Sequence, residues 1–366
     1  RRLYADRQDL VENGEMIEAF ASEVLLHVRT GKTMTLAQDS TLVFEAAFEK
    51  EELKIGIYKE LAALCPREMY ILTNTSSIPL HVLSEAAGMA GRVIGYHFYN
   101  PPAVQKLLEI IIPDVCDTEL QELAAELAKV LRKTVVSSND IAGFIGNGHF
   151  MRDGLHGIRE VERLAQEHGF IKAVYFVNKT SRDWLLRPMG IFQLIDYVGI
   201  DVFQLILRVM DKYLNDGLHS SLIDRYLELG VKGGQTSSGT QKDGFLKYEK
   251  GAIVGIYDPD KQAYVPLDGI WDKEADAHLG AHPNPAFSWK SLQGNPELET
   301  KLHEYFSSFK AKSTLGVQLA TDYFRASREA SRRLVETGVA NHPEDVNKVL
   351  TLGFFHLYGP INDYMD

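Results

Sequence analysis

The strongest constraint on the fold is a regular alternation of two kinds of segment over the first 138 residues. Segments rich in β-branched and aromatic residues predict strands, and they lie at 40–46, 69–74, 92–99, 103–112 and 134–138. Apolar residues at a period of 3.6 predict the helices between them, at 49–64, 79–87 and 117–133. In the first of these helices the period places Leu53, Ile57, Leu61 and Leu64 on one face. Strands that alternate with helices indicate a parallel, doubly wound sheet of the α/β class.

The chain changes character at about residue 139, where long helical patterns begin. They span 145–168, 191–215 and 296–338 and predict all-α C-terminal domains. The stretch 232–290 is rich in Gly, Pro, Ser and Asp, and it contains a hairpin signal with an Asp-Pro-Asp turn.

A faint internal repeat also marks the helical part of the chain. The segment "RLAQEHG" at 163–169, followed by "RPMGIFQLIDY", is similar to "RLVETG" at 333–338, followed by "LYGPINDY". Self-similarity of this kind predicts a duplicated helical unit.

Composition argues against several classes of function. The net charge of −11 argues against a nucleic-acid partner, because phosphate binding needs a positive surface. Cys65 and Cys116 form no disulfide framework, and no segment reaches the ~18 apolar residues of a membrane span. The N-terminal segment carries charges where a secretory signal has its apolar stretch. We therefore expect an intracellular, cytoplasmic protein.

His97 is the first candidate for chemistry. It lies near the end of a predicted strand, just before Asn100-Pro101-Pro102, and prolines cannot continue a β-ladder. The next predicted strand brings Glu109 back toward it. A histidine is the usual general base near neutral pH, and a carboxylate partner fixes its tautomer and raises its basicity. The alternative is a histidine that only packs against aromatic neighbours.

Two further segments carry candidate polar groups. "TNTSS" at 73–77 ends a strand and opens a helix, so its hydroxyls either cap the helix or face a ligand. Asn147 lies in the first turns of a long predicted helix. The glycines of "GFIGNG" in that stretch do not follow a strand, which argues against a dinucleotide loop. His278 and His282 are four residues apart, but Gly and Pro nearby argue against a helix and hence against a metal site.

In order and spacing, "VFEAAFEKEELK", "TNTSSIPL", "GYHFYNPPAVQKLLEII" and "GFIGN" resemble the NAD-dependent L-3-hydroxyacyl-CoA dehydrogenases of fatty-acid β-oxidation. The resemblance covers about residues 2 to 250 and, weakly, 313 to the end. It implies a Rossmann-type sheet, incomplete at its N-terminus, followed by helical domains. It also implies NAD as the cofactor and an acyl-CoA as the substrate.

The resemblance assigns roles to individual residues. His97 matches the residue that takes the proton from the substrate's 3-hydroxyl while hydride passes to the nicotinamide, and Glu109 matches its carboxylate partner. Ser76 and Asn147 match polar residues that hold the substrate oxygen near the nicotinamide.

Further residues match cofactor contacts of the family. They are Glu49, Lys54 and Asn100, together with Ser76 near the nicotinamide. Asp6 matches the acid that binds the adenine ribose, and an acid there favours NAD over NADP because it would repel a 2′-phosphate.

The largest departure from the family lies at the start of the sequence. The family's first strand and G-x-G-x-x-G turn, whose N–H groups bind the pyrophosphate, precede the acid matched by Asp6 and are not in this sequence. We expect that the sequence belongs to a longer polypeptide, because the catalytic residues are intact; the alternative is lost cofactor binding. Gly148 and His149 stand where the family usually carries Arg and an apolar residue, which affects the details of the pocket rather than the reaction.

The resemblance divides the chain into four parts. They are an NAD-binding domain at 1–138, a first helical domain at 139–250, a connecting segment at 251–312 and a second helical repeat at 313–366. The second repeat is expected to replace a dimer partner in an internal pseudo-dimer, with a homodimer as the alternative. Other β-oxidation enzymes, such as a hydratase or thiolase, are possible partners.

Two other functions stay open from the sequence. A related dehydrogenase of free 3-hydroxy acids would more naturally have proline after the histidine, whereas Phe98 here favours acyl-CoA. A non-catalytic acyl-CoA-binding or scaffold subunit would have lost the cofactor loop altogether.

Overall fold

A computed structural model describes residues 14–366 as two compact units. The first unit contains the described residues up to Thr75, Leu80–Leu108 and Pro113–Thr134. The second contains Ser76–Pro79, Glu109–Ile112 and Val135–Asp366. Within the described residues, no helix is both long and apolar enough to cross a membrane.

The N-terminal part of the described chain follows the predicted alternation of strands and helices. The helices are α1 (Gly14–Leu26), α2 (Glu51–Leu64), α3 (Leu80–Ala86) and α4 (Thr118–Val130). The strands are β1 (Leu42–Glu45), β2 (Tyr70–Thr73), β3 (Val93–Phe98), β4 (Leu107–Ile112) and β5 (Thr134–Asn139). They form one sheet in the order β1-β2-β3-β4-β5, in which β1, β2 and β3 pair in parallel. The predicted α/β class is confirmed.

The buried face of α2 differs from the predicted stripe. Its buried residues are Lys54, Tyr58 and Leu61, whereas Leu53 is exposed. The helix is rotated relative to the apolar stripe because Lys54 and Tyr58 direct their polar groups to a buried carboxylate described below. A lysine on a buried helix face is rare unless its charge is paired.

The second unit is mostly helical. Its helices are α5 (Phe144–His168), α6 (Phe170–Lys179), α7 (Ile191–Val198), α8 (Ile200–Leu214), α9 (Ser221–Glu228), α10 (Trp271–Leu279), α11 (Trp289–Leu292), α12 (Leu298–Ser307), α13 (Leu315–Glu336) and α14 (Pro343–Gly353). A π-helical turn at Thr180–Trp184 follows α6. One continuous hydrophobic core joins residues from both ends of this unit.

Two of the long helical predictions were wrong in their continuity. The pattern at 191–215 forms α7 and α8, which are separated by Gly199 at φ 107°, a backbone conformation that favours glycine. The pattern at 296–338 forms α12 and α13, and the side chain of Thr314 caps the start of α13 by accepting from the Val317 N–H. Apolar residues resume at helical spacing after each break, so the two helices on either side look like one long pattern in the sequence.

The predicted hairpin around the Asp-Pro-Asp turn is confirmed, and a third strand extends it. Strands β6 (Leu246–Glu249), β7 (Ala252–Asp258) and β8 (Ala263–Pro266) form an antiparallel sheet in that order. This part of the unit is therefore not all-α. The Asp258 carboxylate shapes the β7–β8 turn by accepting from the N–H groups of Asp260 and Lys261.

Helix α13 packs along α5 through a buried polar cluster. The Arg187 guanidinium donates to the Asp153 carboxylate at 2.7 Å and to Ser327 Oγ at 3.0 Å. His149 Nε2 lies 3.0 Å from the same Ser327 oxygen, and the Tyr323 hydroxyl donates to the Asp153 carbonyl at 2.8 Å. Burial alone would raise the pKa of Asp153, but the charge of Arg187 outweighs it and brings that pKa to about 2. The cluster therefore holds a charged pair beside neutral hydrogen-bonding groups.

Two histidines, His149 of this cluster and His356, should make the free energy of unfolding fall as the pH falls. Burial lowers the pKa of His149 to about 4 and that of His356 well below its ordinary value. Between pH 6.5 and 4 these histidines bind protons in the unfolded chain but stay neutral in the folded chain. The free energy of unfolding therefore falls as the pH falls. For His149 the loss reaches roughly 3 kcal/mol, at about 1.4 kcal/mol per pH unit.

Urea unfolding of His149→Gln at a series of pH values measures this effect. Glutamine retains a hydrogen-bonding group toward Ser327 but does not titrate, so its stability should fall less steeply below pH 6.5. His303→Gln, which changes an exposed histidine on α12, is the control and should retain the wild-type slope. An unchanged slope in His149→Gln would contradict the expectation.

Candidate active site

A buried carboxylate organises the carboxyl end of the parallel strands in the first unit. Glu45, the last residue of β1, accepts from Lys54 Nζ at 3.0 and 3.1 Å, from the Tyr58 hydroxyl at 2.9 Å and from Thr73 Oγ1 at 2.7 Å. Burial alone would raise its pKa, but the hydrogen bond from Thr73 and the charge of Lys54 hold the pKa below its ordinary value. The network connects β1 to helix α2 and to the end of β2.

Lys54 is fully buried within this network. Its ammonium has three N–H donors, and the acceptors within reach are the two oxygens of Glu45 and the Ala47 carbonyl at 3.2 Å. The carboxylate of Glu49 lies 3.7 Å away. Lys54 thus anchors the β1–α2 loop, and its predicted contact with a cofactor stays a prediction.

His97 lies one residue before the end of β3 and is buried. The next residue, Phe98, donates its backbone N–H to the Asn74 side-chain oxygen at 2.9 Å. The ring of Tyr99 packs on the imidazole, with the ring centroids 4.9 Å apart. Backbone and ring contacts on the C-terminal side of His97 therefore restrict its position.

The second unit brings three other predicted residues to the first turn of α5. The Ile145 N–H donates to the Glu109 carboxylate at 2.7 Å, and Asn147 Nδ2 donates to the Ser76 carbonyl at 2.9 Å. The N-cap residue, Gly143, provides no side-chain cap. Glu109 fills that role, and a carboxylate at a helix N-terminus interacts favourably with the helix dipole.

The remaining predicted residues have different surroundings. Glu49 is half-buried in the β1–α2 loop, and Asn100 is exposed after β3. Asp6 lies outside the described residues. His278 lies in the last turn of α10, contrary to the expectation of no helix there, and His282 lies beyond the C-cap residue Gly280. Across residues 14–366, no group of three His, Cys, Asp or Glu side chains is placed to hold a metal ion.

Three members of the buried network, Glu45, Tyr58 and Thr73, were not among the residues predicted from the sequence. Glu45 lies in "VFEAAFEKEELK" and Thr73 begins "TNTSS", but neither motif indicates a buried ion pair, and Tyr58 lies in no motif. The one available signal is an acid at the end of an apolar strand, "LVFE", followed nine residues later by a lysine on the next helix. A buried acid is uncommon unless it is paired, so that spacing could have indicated the ion pair.

Parallel strands with polar groups at their carboxyl ends are typical of α/β domains that bind nucleotides at that edge of the sheet. Residues 1–141 match a family model described as 3-hydroxyacyl-CoA dehydrogenase, NAD binding domain. Residues 143–243 match 3-hydroxyacyl-CoA dehydrogenase, C-terminal domain. The chain belongs to the 3-hydroxyacyl-CoA dehydrogenase family, which confirms the family predicted from the motifs.

Individual relatives agree with this assignment. A probable 3-hydroxybutyryl-CoA dehydrogenase from Deinococcus radiodurans is 29% identical over 241 residues, covering 65% of this chain and 82% of that protein. A probable 3-hydroxyacyl-CoA dehydrogenase from Caenorhabditis elegans is 30% identical over 238 residues, covering 63% and 75%. The crystal structure of 3-hydroxybutyryl-CoA dehydrogenase from Escherichia coli K12 has the same fold, with a TM-score of 0.66 at 21% identity over 98% of this chain and 81% of that chain.

The described residues fit the NAD cofactor of this family. Dinucleotides bind outside the carboxyl ends of the strands in doubly wound sheets, and here the loops after β1 and β3 carry the half-buried Glu49 and the exposed Asn100. Lys54 fits less well as a direct contact, because acceptors of its own unit already surround its ammonium.

Lys54→Met tests whether this lysine is an internal anchor. The variant leaves the Glu45 carboxylate buried without its cation, so we expect a loss of about 3–5 kcal/mol in the free energy of unfolding. The double variant Lys54→Met/Glu45→Gln, which removes both charges, should recover part of that loss. Urea unfolding and the KM for NADH are measured on both variants. Wild-type stability with a raised KM in Lys54→Met would instead identify a cofactor contact.

Proposed function

We propose that this chain oxidises L-3-hydroxyacyl-CoA to 3-ketoacyl-CoA with NAD in fatty-acid β-oxidation, with His97 as the general base and Glu109 as its partner. The observation that carries the proposal is the position of His97 at the carboxyl end of β3, in the sheet of an NAD-binding domain. The pairing of Glu109 with His97 rests on the resemblance of "GYHFYNPPAVQKLLEII" to the family's motif. Membership of the family supplies the reaction.

Each residue has a specific task in this mechanism. The imidazole of His97 takes the proton from the substrate's 3-hydroxyl, and Glu109 orients the ring and stabilises the imidazolium that forms. Glu49, Asn100 and Ser76 would hold NAD, which would supply the acceptor for the hydride that leaves C3. Ser76 and Asn147 hold the substrate oxygen, and the hydrogen bond from Asn147 to the Ser76 carbonyl supports their acting together.

We assign the cofactor contacts to Glu49, Asn100 and Ser76, with Asp6 on the adenine ribose. The domain boundaries at 138, 250 and 312 belong to the same proposal. So do a cytoplasmic location and association with other enzymes of β-oxidation.

Replacement of the proposed base tests the reaction. In an assay of NADH oxidation with acetoacetyl-CoA, His97→Gln should lower kcat by at least about 10²-fold, the range typical of a lost general base. His81→Gln, which changes an exposed histidine on α3, is the matched control and should retain wild-type kcat. Equal rates in wild type and His97→Gln would refute the role of His97.

The same assay separates the other functions. Faster turnover of free acetoacetate than of its CoA thioester would favour a free-acid dehydrogenase. A scaffold subunit would bind acyl-CoA but show neither turnover nor NADH binding. Fluorescence titration with NADH, on a polypeptide extended upstream of Arg1 as well as on this chain, measures the last property.

We further propose that residues 313–366 cover the face of α5 that a dimer partner would otherwise use. Gly148 on α5 lies so close to Leu334 that an added Cβ would come within 2.8 Å of its side chain. Arg152 on α5 and Arg333 on α13 both donate to the Asp216 carboxylate, at 2.7 and 2.8 Å. The second helical segment therefore packs on α5 within one chain.

Sedimentation velocity over a range of protein concentrations tests this arrangement. We expect the mass of one chain at micromolar concentration, because α13 already occupies the face of α5. A concentration-independent dimer, whose contact maps to α5 by crosslinking, would contradict the proposal. A dimer through another surface would leave the covered face unaffected, and its crosslinks would lie elsewhere.

A further inference from the structure

The strand that carries His97 extends beyond its neighbour on one side. Strands β2 and β3 pair in parallel from Ile71 with Val93 to Thr73 with Gly95. Strand β2 ends there, but β3 continues for three more residues to Phe98. On the β2 side, the part of β3 that contains His97 therefore lies beyond the paired main chains.

Beyond the last main-chain pair of β2 and β3, the side chain of Asn74 provides a hydrogen bond to β3. Its Oδ1 atom accepts from the Phe98 N–H at 2.9 Å, which has the geometry of a good main-chain hydrogen bond. The backbone N–H of Asn74 donates to the Glu45 carbonyl at 2.8 Å. One residue thus joins the ends of β1, β2 and β3.

The neighbours of Asn74 limit its freedom to move. The hydroxyl of Thr73 donates a hydrogen bond to the Glu45 carboxylate at 2.7 Å and lies 2.6 Å from the hydroxyl of Thr75. Thr73 and Thr75 are both fully buried. The acceptor of Asn74 is therefore held in place by the residues before and after it.

We propose that Asn74 is a positioning residue for the general base. By fixing the peptide that follows His97, it sets the direction of the Cα–Cβ bond and hence the place of the imidazole. A displacement of about 1 Å at a reacting group can lower a rate 10²-fold. This inference rests on the proposed function, in which His97 removes the proton.

The test compares Asn74→Ala, which removes the acceptor, with Asn74→Asp, which retains an oxygen at the same place. Asn74→Ala should lower kcat about 10- to 100-fold with a change in the KM for acetoacetyl-CoA of less than about threefold. Asn74→Asp should recover most of that loss. Gln121→Ala is the matched control, because it removes another amide-to-backbone hydrogen bond of the first unit, from Gln121 Nε2 to the Cys116 carbonyl, and it should retain wild-type kcat.

The double variant His97→Gln/Asn74→Ala separates positioning from a purely structural role. If Asn74 acts through His97, the double variant is no slower than His97→Gln alone. Independent, multiplying losses would overturn the proposal, and so would wild-type kcat in Asn74→Ala. Full activity in His97→Gln would instead refute the proposed function itself, so the two failures are distinguishable.

Discussion

The ion pair between Glu45 and Lys54 is the interaction on which the arrangement of the first unit depends. A carboxylate buried at the end of β1 is unfavourable unless charge and hydrogen bonds compensate it. Lys54, Tyr58 and Thr73 provide that compensation from α2 and β2. These elements must therefore meet in one register. The loops after β1 and β2 therefore begin at residues whose positions are fixed. A site built from the ends of strands requires such fixed positions.

Helix α5 has the corresponding role in the second unit. Its first turn receives the Glu109 carboxylate and carries Asn147 toward Ser76. Further along, the same helix packs against α13 through the cluster around Asp153. A single rigid helix thus connects proposed substrate-binding groups with the second helical segment.

This packing explains two departures from the family pattern. At Gly148 the resemblance leads us to expect arginine, and Leu334 of α13 occupies the space beside the glycine. At His149 the resemblance leads us to expect an apolar residue, whereas the imidazole Nε2 atom lies 3.0 Å from Ser327 Oγ on α13. Both residues allow α5 to pack against α13 of the same chain. They concern packing rather than the chemistry of the reaction.

The sequence by itself determined the alternation of strands and helices, the family and the candidate base His97. These follow from local periodicity and from motifs whose residues lie close together in the chain. Only the tertiary structure decided which face of α2 is buried, where the helices at Gly199 and Thr314 break, and that Asn74 supports β3. Asn74 and Phe98 are 24 residues apart, and Glu45 and Lys54 are nine residues apart on a strand and the next helix, so apolar periodicity does not encode these hydrogen bonds. Hydropathy ranks a lysine as exposed, and only a buried carboxylate within 3.0 Å of its ammonium makes its burial favourable.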